Sequence, residues 1–171
     1  MINKKALSGV VTVVILMALA VALVGIVWVV VDNLVQDELE GAGSCFDIFD
    51  KVSINPRFTC YNSSSNNLQF SISIGNVEVE ELLVSVSGEG TSKSFRLSNV
   101  SDLITDVTSY PSGGSSVQLP GKDSGLTYIL DMTAAGFTES PKGIEISPKI
   151  NGNQCGISGS LNQFDNCALL N

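Results

Sequence analysis

The chain has no histidine, a single tryptophan, and only nine lysines and arginines against seventeen aspartates and glutamates in 171 residues. Without histidine it lacks the commonest general base and a leading metal ligand, which lowers the odds of hydrolytic, acid–base or zinc chemistry. The shortage of cations and the formal net charge of −8 argue against a nucleic-acid partner, because phosphate neutralisation takes clustered Lys and Arg. Solubility at a crowded surface is the simpler meaning of the acidic balance. There is no internal repeat and no long low-complexity tail.

Charge is also missing locally, and there the absence is informative. Residues 7–31, LSGVVTVVILMALAVALVGIVWVVV, carry none. A membrane-crossing helix needs about 20 predominantly apolar residues, whereas the apolar core of a cleaved secretory signal spans roughly 7 to 15. Lys4 and Lys5 precede the run, and Asp32, Asp37, Glu38 and Glu40 follow it. By the positive-inside rule the short leader stays in the cytoplasm and the rest of the chain is exported. Val31, Leu34, Val35 and Leu39 keep helical spacing past the run. The helix is therefore expected from Leu7 to Glu40, about 50 Å at 1.5 Å per residue, ending where Gly41 and Gly43 break it.

Cys45, Cys60, Cys155 and Cys167 all lie beyond the apolar run, on the side where oxidising conditions preserve disulfides. Four cysteines allow three pairings, and the spacing favours two local loops, Cys45 with Cys60 and Cys155 with Cys167. A zinc site would need close C-x-x-C spacing or histidine. No metal and no cofactor is expected.

From Phe46 onward the pattern changes to short alternating or β-branched runs separated by Gly, Asn, Ser and Pro, the pattern of a sandwich or barrel. Strands are expected at Phe46 to Ile54, Phe58 to Tyr61, Leu68 to Ile74, Val77 to Val86, Lys93 to Leu97, Leu126 to Met132 and Ile144 to Ile150. Leu68, Phe70, Ile72 and Ile74 alternate with Gln69, Ser71 and Ser73, so the first set faces the core. The turn-rich stretch Tyr110 to Lys122 is expected to be a surface loop. The fold class is thus α+β, a long N-terminal hydrophobic helix followed by an all-β, sandwich-like head. The boundaries are residues 1–6 for the leader, 7–43 for the helix and 44–171 for the head, which is large enough for one core.

The candidates for chemistry have plainer explanations. Glu78 and Glu80 alternate with Val77 and Val79, which puts both acids on the solvent side, and Glu81 follows them. The segment GEGTSK, 88–93, lacks Walker spacing and suits a hairpin connection. Asn62 and Asn99 open the triplets NSS and NVS, which are acceptors for N-linked glycan or simple turn formers. No catalytic constellation emerges, and an enzyme is not expected.

The first forty residues resemble the class III signal and N-terminal helix of archaeal type IV pilins, a family that includes the related archaellins. In that family a prepilin peptidase cuts between a small residue that follows basic residues and the start of the apolar helix. Lys4, Lys5 and Ala6 followed by Leu7 fit that pattern, so the resemblance implies a mature chain beginning at Leu7. Ser8 is then the second mature residue, and Gly9 stands where many members have Pro. Val11 stands at the fifth mature position, where bacterial pilins commonly have Glu. The Gly-rich helix start of archaellins is not reproduced.

The resemblance implies a filament subunit. It would be cut by the prepilin peptidase, drawn from the membrane by the assembly machinery, packed through its helix into a homopolymer, and would carry its β head outward. Lipid tails are as apolar as Leu, so helix association rests on close packing, which small residues permit. Gly9, Ala18, Ala22 and Gly25 are the candidates, the last three being three and four residues apart. Loss of the leader lysines brings the formal charge to about −10 and removes the charges that hold the N-terminus in the cytoplasm. The expected place is an extracellular, adhesive surface filament, reached through the cytoplasmic membrane. The competing expectations are an uncleaved, membrane-anchored binding module and an archaellin-like motility subunit.

Overall fold

The computed structural model describes residues 4–46, 48, 50–111 and 113–167, with side chains from residue 9 to 36 and from 45 onward. The chain forms two compact units, Met1–Gly41 and Ala42–Asn171. A single helix, α1 (Lys4–Phe46), makes up the first unit and supplies the first residues of the second. It runs past Gly41 and Gly43, where the sequence suggested a break. Each glycine costs about 1 kcal/mol in a helix interior, but the next turn is held covalently, because Cys45 is bonded to Cys155.

The second unit is a β-rich body. Its strands are β1 (Val52–Ile54), β2 (Cys60–Asn62), β3 (Asn67–Ile74), β4 (Glu81–Ser87), β5 (Ser92–Ser98), β6 (Asp102–Leu103), β7 (Val107–Tyr110) and β8 (Ser116–Val117). They continue with β9 (Ser124–Asp131), β10 (Gly143–Ile150), β11 (Asn153–Gln154), β12 (Gly159–Leu161) and β13 (Asp165–Asn166). One sheet has the order β13-β2-β3-β9-β7 with β1 also on β3; the other has β11-β10-β4-β5 with β12 also on β10; β6 and β8 form a small ribbon. All the pairings are antiparallel except β13 with β2.

Each sheet has one interrupted strand beside a long one. β1 and β2 lie in succession along β3, at Ile72–Ile74 and Asn67–Gln69, separated by a 3-10 turn at Pro56–Phe58. Proline cannot donate to a ladder, and Asn55 caps the turn by accepting from the Arg57 N–H at 3.1 Å. Along β10, β12 and β11 are likewise separated by residues 155–158. Pro148 sits inside β10, and its carbonyl accepts from Cys155 on that side. Its missing N–H therefore faces the interruption and not β4. Gly159 lets the two sheets approach, because a Cβ there would lie 3.1 Å from the Ile54 nitrogen and 3.2 Å from the Ile146 side chain.

The two sheets enclose a single core. Leu68, Phe70, Ile72 and Ile74 of β3 point inward, as the alternation predicts, together with Tyr128 and Leu130 of β9. Opposite them lie Leu82, Val84 and Val86 of β4, Phe95 and Leu97 of β5, and Ile144 and Ile146 of β10. Phe70 stacks on Tyr128 at 5.2 Å between ring centroids and tilts toward Phe95 at 6.1 Å. Tyr128 places its hydroxyl where it donates to the Gln118 carbonyl at 2.6 Å, so the buried ring carries no unsatisfied polar atom. Register with Val86 turns Lys93 inward on the edge strand β5, and its ammonium meets the Asp106 carboxylate at 2.7 Å. An inward charge of this kind discourages edge-to-edge association.

Several expectations change here. The disulfides are Cys45–Cys155 and Cys60–Cys167, 110 and 107 residues apart in sequence, and not the two local loops. Spacing misled because the fold returns its last segment to its first: parallel pairing of β13 with β2 carries Cys167 to Cys60, and the gap between β11 and β12 holds Cys155. Of the strand expected at Phe46 to Ile54 only Val52–Ile54 forms, since Phe46 belongs to α1. The segment 77–80 is not strand, although the Glu80 N–H donates to the Lys149 carbonyl of β10; β4 begins at Glu81, and Val79 is buried while Glu78 and Glu80 are exposed. Tyr110 to Lys122 is more than a surface loop: Val117 and Leu119 are buried, and Leu119 donates to the Ser98 carbonyl at the end of β5.

Two measurements follow from these contacts. Non-reducing peptide mapping is expected to recover Cys45 linked to Cys155 and Cys60 linked to Cys167; closing loops of this length contributes on the order of 4 to 5 kcal/mol each by the chain-entropy estimate. Recovery of Cys45–Cys60 would contradict the fold. Burial pushes the Tyr128 phenol well above its ordinary value of 10.0. The unfolded tyrosine ionises near that value while the folded one keeps its proton, so this contribution is full below about pH 10 and declines above it. Tyr128→Phe is expected to flatten the alkaline limb of the stability–pH curve and to cost about 1 kcal/mol near neutrality for the lost hydrogen bond.

Candidate functional site

The functional candidate with the largest extent is the surface of α1. Its sequence is rich in β-branched valine, a poor helix former in water. In an apolar medium the ranking matters less, because an unbonded backbone amide costs several kcal/mol and the helix satisfies all its interior groups within one segment. Gly9–Gln36 is long and apolar enough to cross a membrane. From Val10 to Val35 every large apolar side chain is exposed, from 43 % at Val31 to 74 % at Val21, and Trp28 is 62 % exposed. None of the described side chains in this span is buried. Removing each such side chain from water is worth roughly 1.5 to 3 kcal/mol, so the uncovered surface is a strong demand for apolar surroundings.

Small residues mark one stripe on it. At 3.6 residues per turn, Ala18, Ala22 and Gly25 fall within about 60° of one another. Gly9, nine residues before Ala18, is half a turn away and belongs to the opposite side, so the helix does not unite the four small residues. A Cβ at Gly9 or at Gly25 would meet nothing within 4 Å, which leaves both places open to another helix or to lipid. Lys4, Lys5, Ala6 and Leu7 lie in the first turns of α1; their side chains are outside the described set.

The remaining candidates separate into surface roles. Glu80 accepts from the Gly152 N–H at 3.2 Å, Glu81 pairs with Arg96 at 3.0 Å, and Glu78 is exposed. These acids stabilise turns and strand pairs and do not converge on a pocket. The segment 88–93 holds the connection between β4 and β5, closed by the Gly88 N–H donating to the Thr91 carbonyl, with Gly90 at φ +72°. Asn62 ends β2, and its Oδ1 accepts from the Ser64 and Ser65 N–H groups; Asn99 is exposed and donates from Nδ2 to the Val79 carbonyl. Asn62 thus closes its own turn, and Asn99 ties its segment to Val79. Among the described residues no group of three or more His, Cys, Asp or Glu could hold a metal ion.

No protein-family model, curated protein or solved structure matches this chain. The geometry of α1 is thus the main guide to what the molecule does. Three carboxylates along the span, Val14→Asp, Val21→Asp and Val27→Asp together, are expected to cost roughly 8 to 10 kcal/mol of membrane insertion. Carbonate extraction of membranes from expressing cells should show the variant moving to the soluble or degraded pool while the parent stays with lipid.

Proposed function

We propose that this chain is a structural subunit of an extracellular filament of the archaeal type IV pilin kind. The observation that carries the reading is the helix exposed over its whole circumference, joined to a β-rich unit closed by two long-range disulfides. A protein that leaves so much apolar helix bare needs a bilayer first and sister helices later, because only those two settings keep it dry. The stripe of Ala18, Ala22 and Gly25 supplies the close approach that packing in a bundle requires.

In this reading a prepilin peptidase cuts after Ala6, the assembly machinery extracts the mature chain, and the head serves surface adhesion. Asn99 is the proposed glycan acceptor. The leader lysines hold the precursor in the membrane, and their removal lowers the barrier to extraction.

Isolation of surface appendages, with electron microscopy and intact-mass and N-terminal sequencing of their main component, tests this directly. The expected result is a filament built of this polypeptide starting at Leu7, with any mass excess mapping to Asn99. Ala22→Leu is expected to leave membrane insertion intact and to deplete filaments. A start at Met1, with the protein found only as single copies in the membrane, would overturn the filament and favour a permanent anchor for a binding module.

A further inference from the structure

The outer face of the six-stranded sheet carries a groove that the filament reading does not use. Pairing aligns Gln69 of β3 with Ile129 of β9 on one side and Cys60 of β2 on the other, and Asn67 with Asn62. Strand alternation turns all of these side chains away from the core. Tyr110, two residues beyond Thr108, the partner of Ile129, shares that face from the edge strand β7. The floor of the groove is thus Asn67, Gln69 and Ile129; one wall is Tyr110, and the other is the Cys60–Cys167 disulfide with the turn after β2.

The chemistry of this lining is unusual for so acidic a chain, because among the described residues no charged side chain contributes to it. The Tyr110 ring is half exposed at 49 %. Among the described residues neither its hydroxyl nor the Asn67 carboxamide makes a hydrogen bond. Asn62 commits only its Oδ1 to the neighbouring N–H groups, which leaves Nδ2 to donate. Gln69 donates from Nε2 to the Phe58 carbonyl at a long 3.5 Å, which leaves Oε1 to accept. Among the described residues an anion would find no cation here, and a metal ion no carboxylate. A purely apolar ligand would strand the amides without partners, at a cost.

One ligand class fits all of these features: a pyranose ring, with an apolar C–H face to lie on an aromatic ring and hydroxyls that both donate to and accept from amides. We propose that this groove binds a neutral saccharide, with Tyr110 as the stacking platform and Asn62, Asn67 and Gln69 as the hydrogen-bonding groups.

The test uses the full chain in a zwitterionic detergent that has no sugar headgroup. Saturation-transfer NMR and titration calorimetry are run against methyl glycosides and short oligosaccharides of glucose, galactose, mannose and N-acetylglucosamine, beside sialylated and sulfated counterparts. At least one neutral sugar is expected to bind, with transfer to its ring C–H protons and a Kd on the order of millimolar. Tyr110→Ala is expected to weaken that binding roughly tenfold or more, while Tyr110→Phe keeps it within about threefold. Gln69→Ala should weaken it with the thermal midpoint unchanged, and it decides alone if Tyr110→Ala does not fold. Absence of any neutral-sugar binding, a preference for the anionic sugars, or indifference to both Tyr110→Ala and Gln69→Ala would overturn the site. Because the measurement is made on unassembled protein, its failure leaves the filament reading standing, and failure of the filament leaves the groove testable.

Discussion

Water cannot be the long-term neighbour of α1. Helices of soluble proteins hide an apolar stripe against their own fold, but here residues 10–35 present apolar side chains on every side. The backbone is content in any medium, because a helix bonds its own amides. The side chains are not, and the hydrophobic cost of exposing them would exceed the marginal stability of an ordinary domain several times over. Such a surface calls for apolar surroundings. Lipid adapts to any shape, whereas a neighbouring helix needs places where backbones can come close, which is what small residues allow.

The β-rich unit is held together by a different set of forces. Its core is one layer of aliphatic and aromatic side chains between two sheets, centred on Phe70, Tyr128 and Phe95. The interrupted strands are its weak places, since ladder bonds are lost where Pro56 and Pro148 cannot donate. One disulfide lies at the gap between β11 and β12, and the other joins β2 to the residue following β13. The Cys60–Cys167 bond also builds one wall of the outer groove, so a stabilising element shapes a surface feature.

Much of this was legible from residue order. The charge-free run announced the helix, and the alternation in β3 assigned its faces correctly, because both signals are local and depend only on side-chain period. The connection between β4 and β5 followed from its glycines for the same reason. The reading failed where distant segments decide the outcome. Val117 and Leu119 looked like parts of a turn-rich loop because Gly, Ser and Pro surround them, yet they fill the end of the core. Gly41 and Gly43 looked like a stop, but the turn after them is bonded to Cys155. The groove between Tyr110 and Cys167 had no signal at all, as its walls are brought together from β2, β3, β7, β9 and the residue after β13.

By itself the order of residues determined the helix, its need for apolar surroundings, the α+β class and the inward face of the central strand. These are consequences of composition and period, which act over a few neighbours. Only the tertiary structure decided which cysteines join, which part of a polar loop enters the core, and which neutral side chains share one face of a sheet. Such outcomes depend on strand register and on the return of the last segment to the first, and a register is chosen by packing across more than a hundred residues of chain.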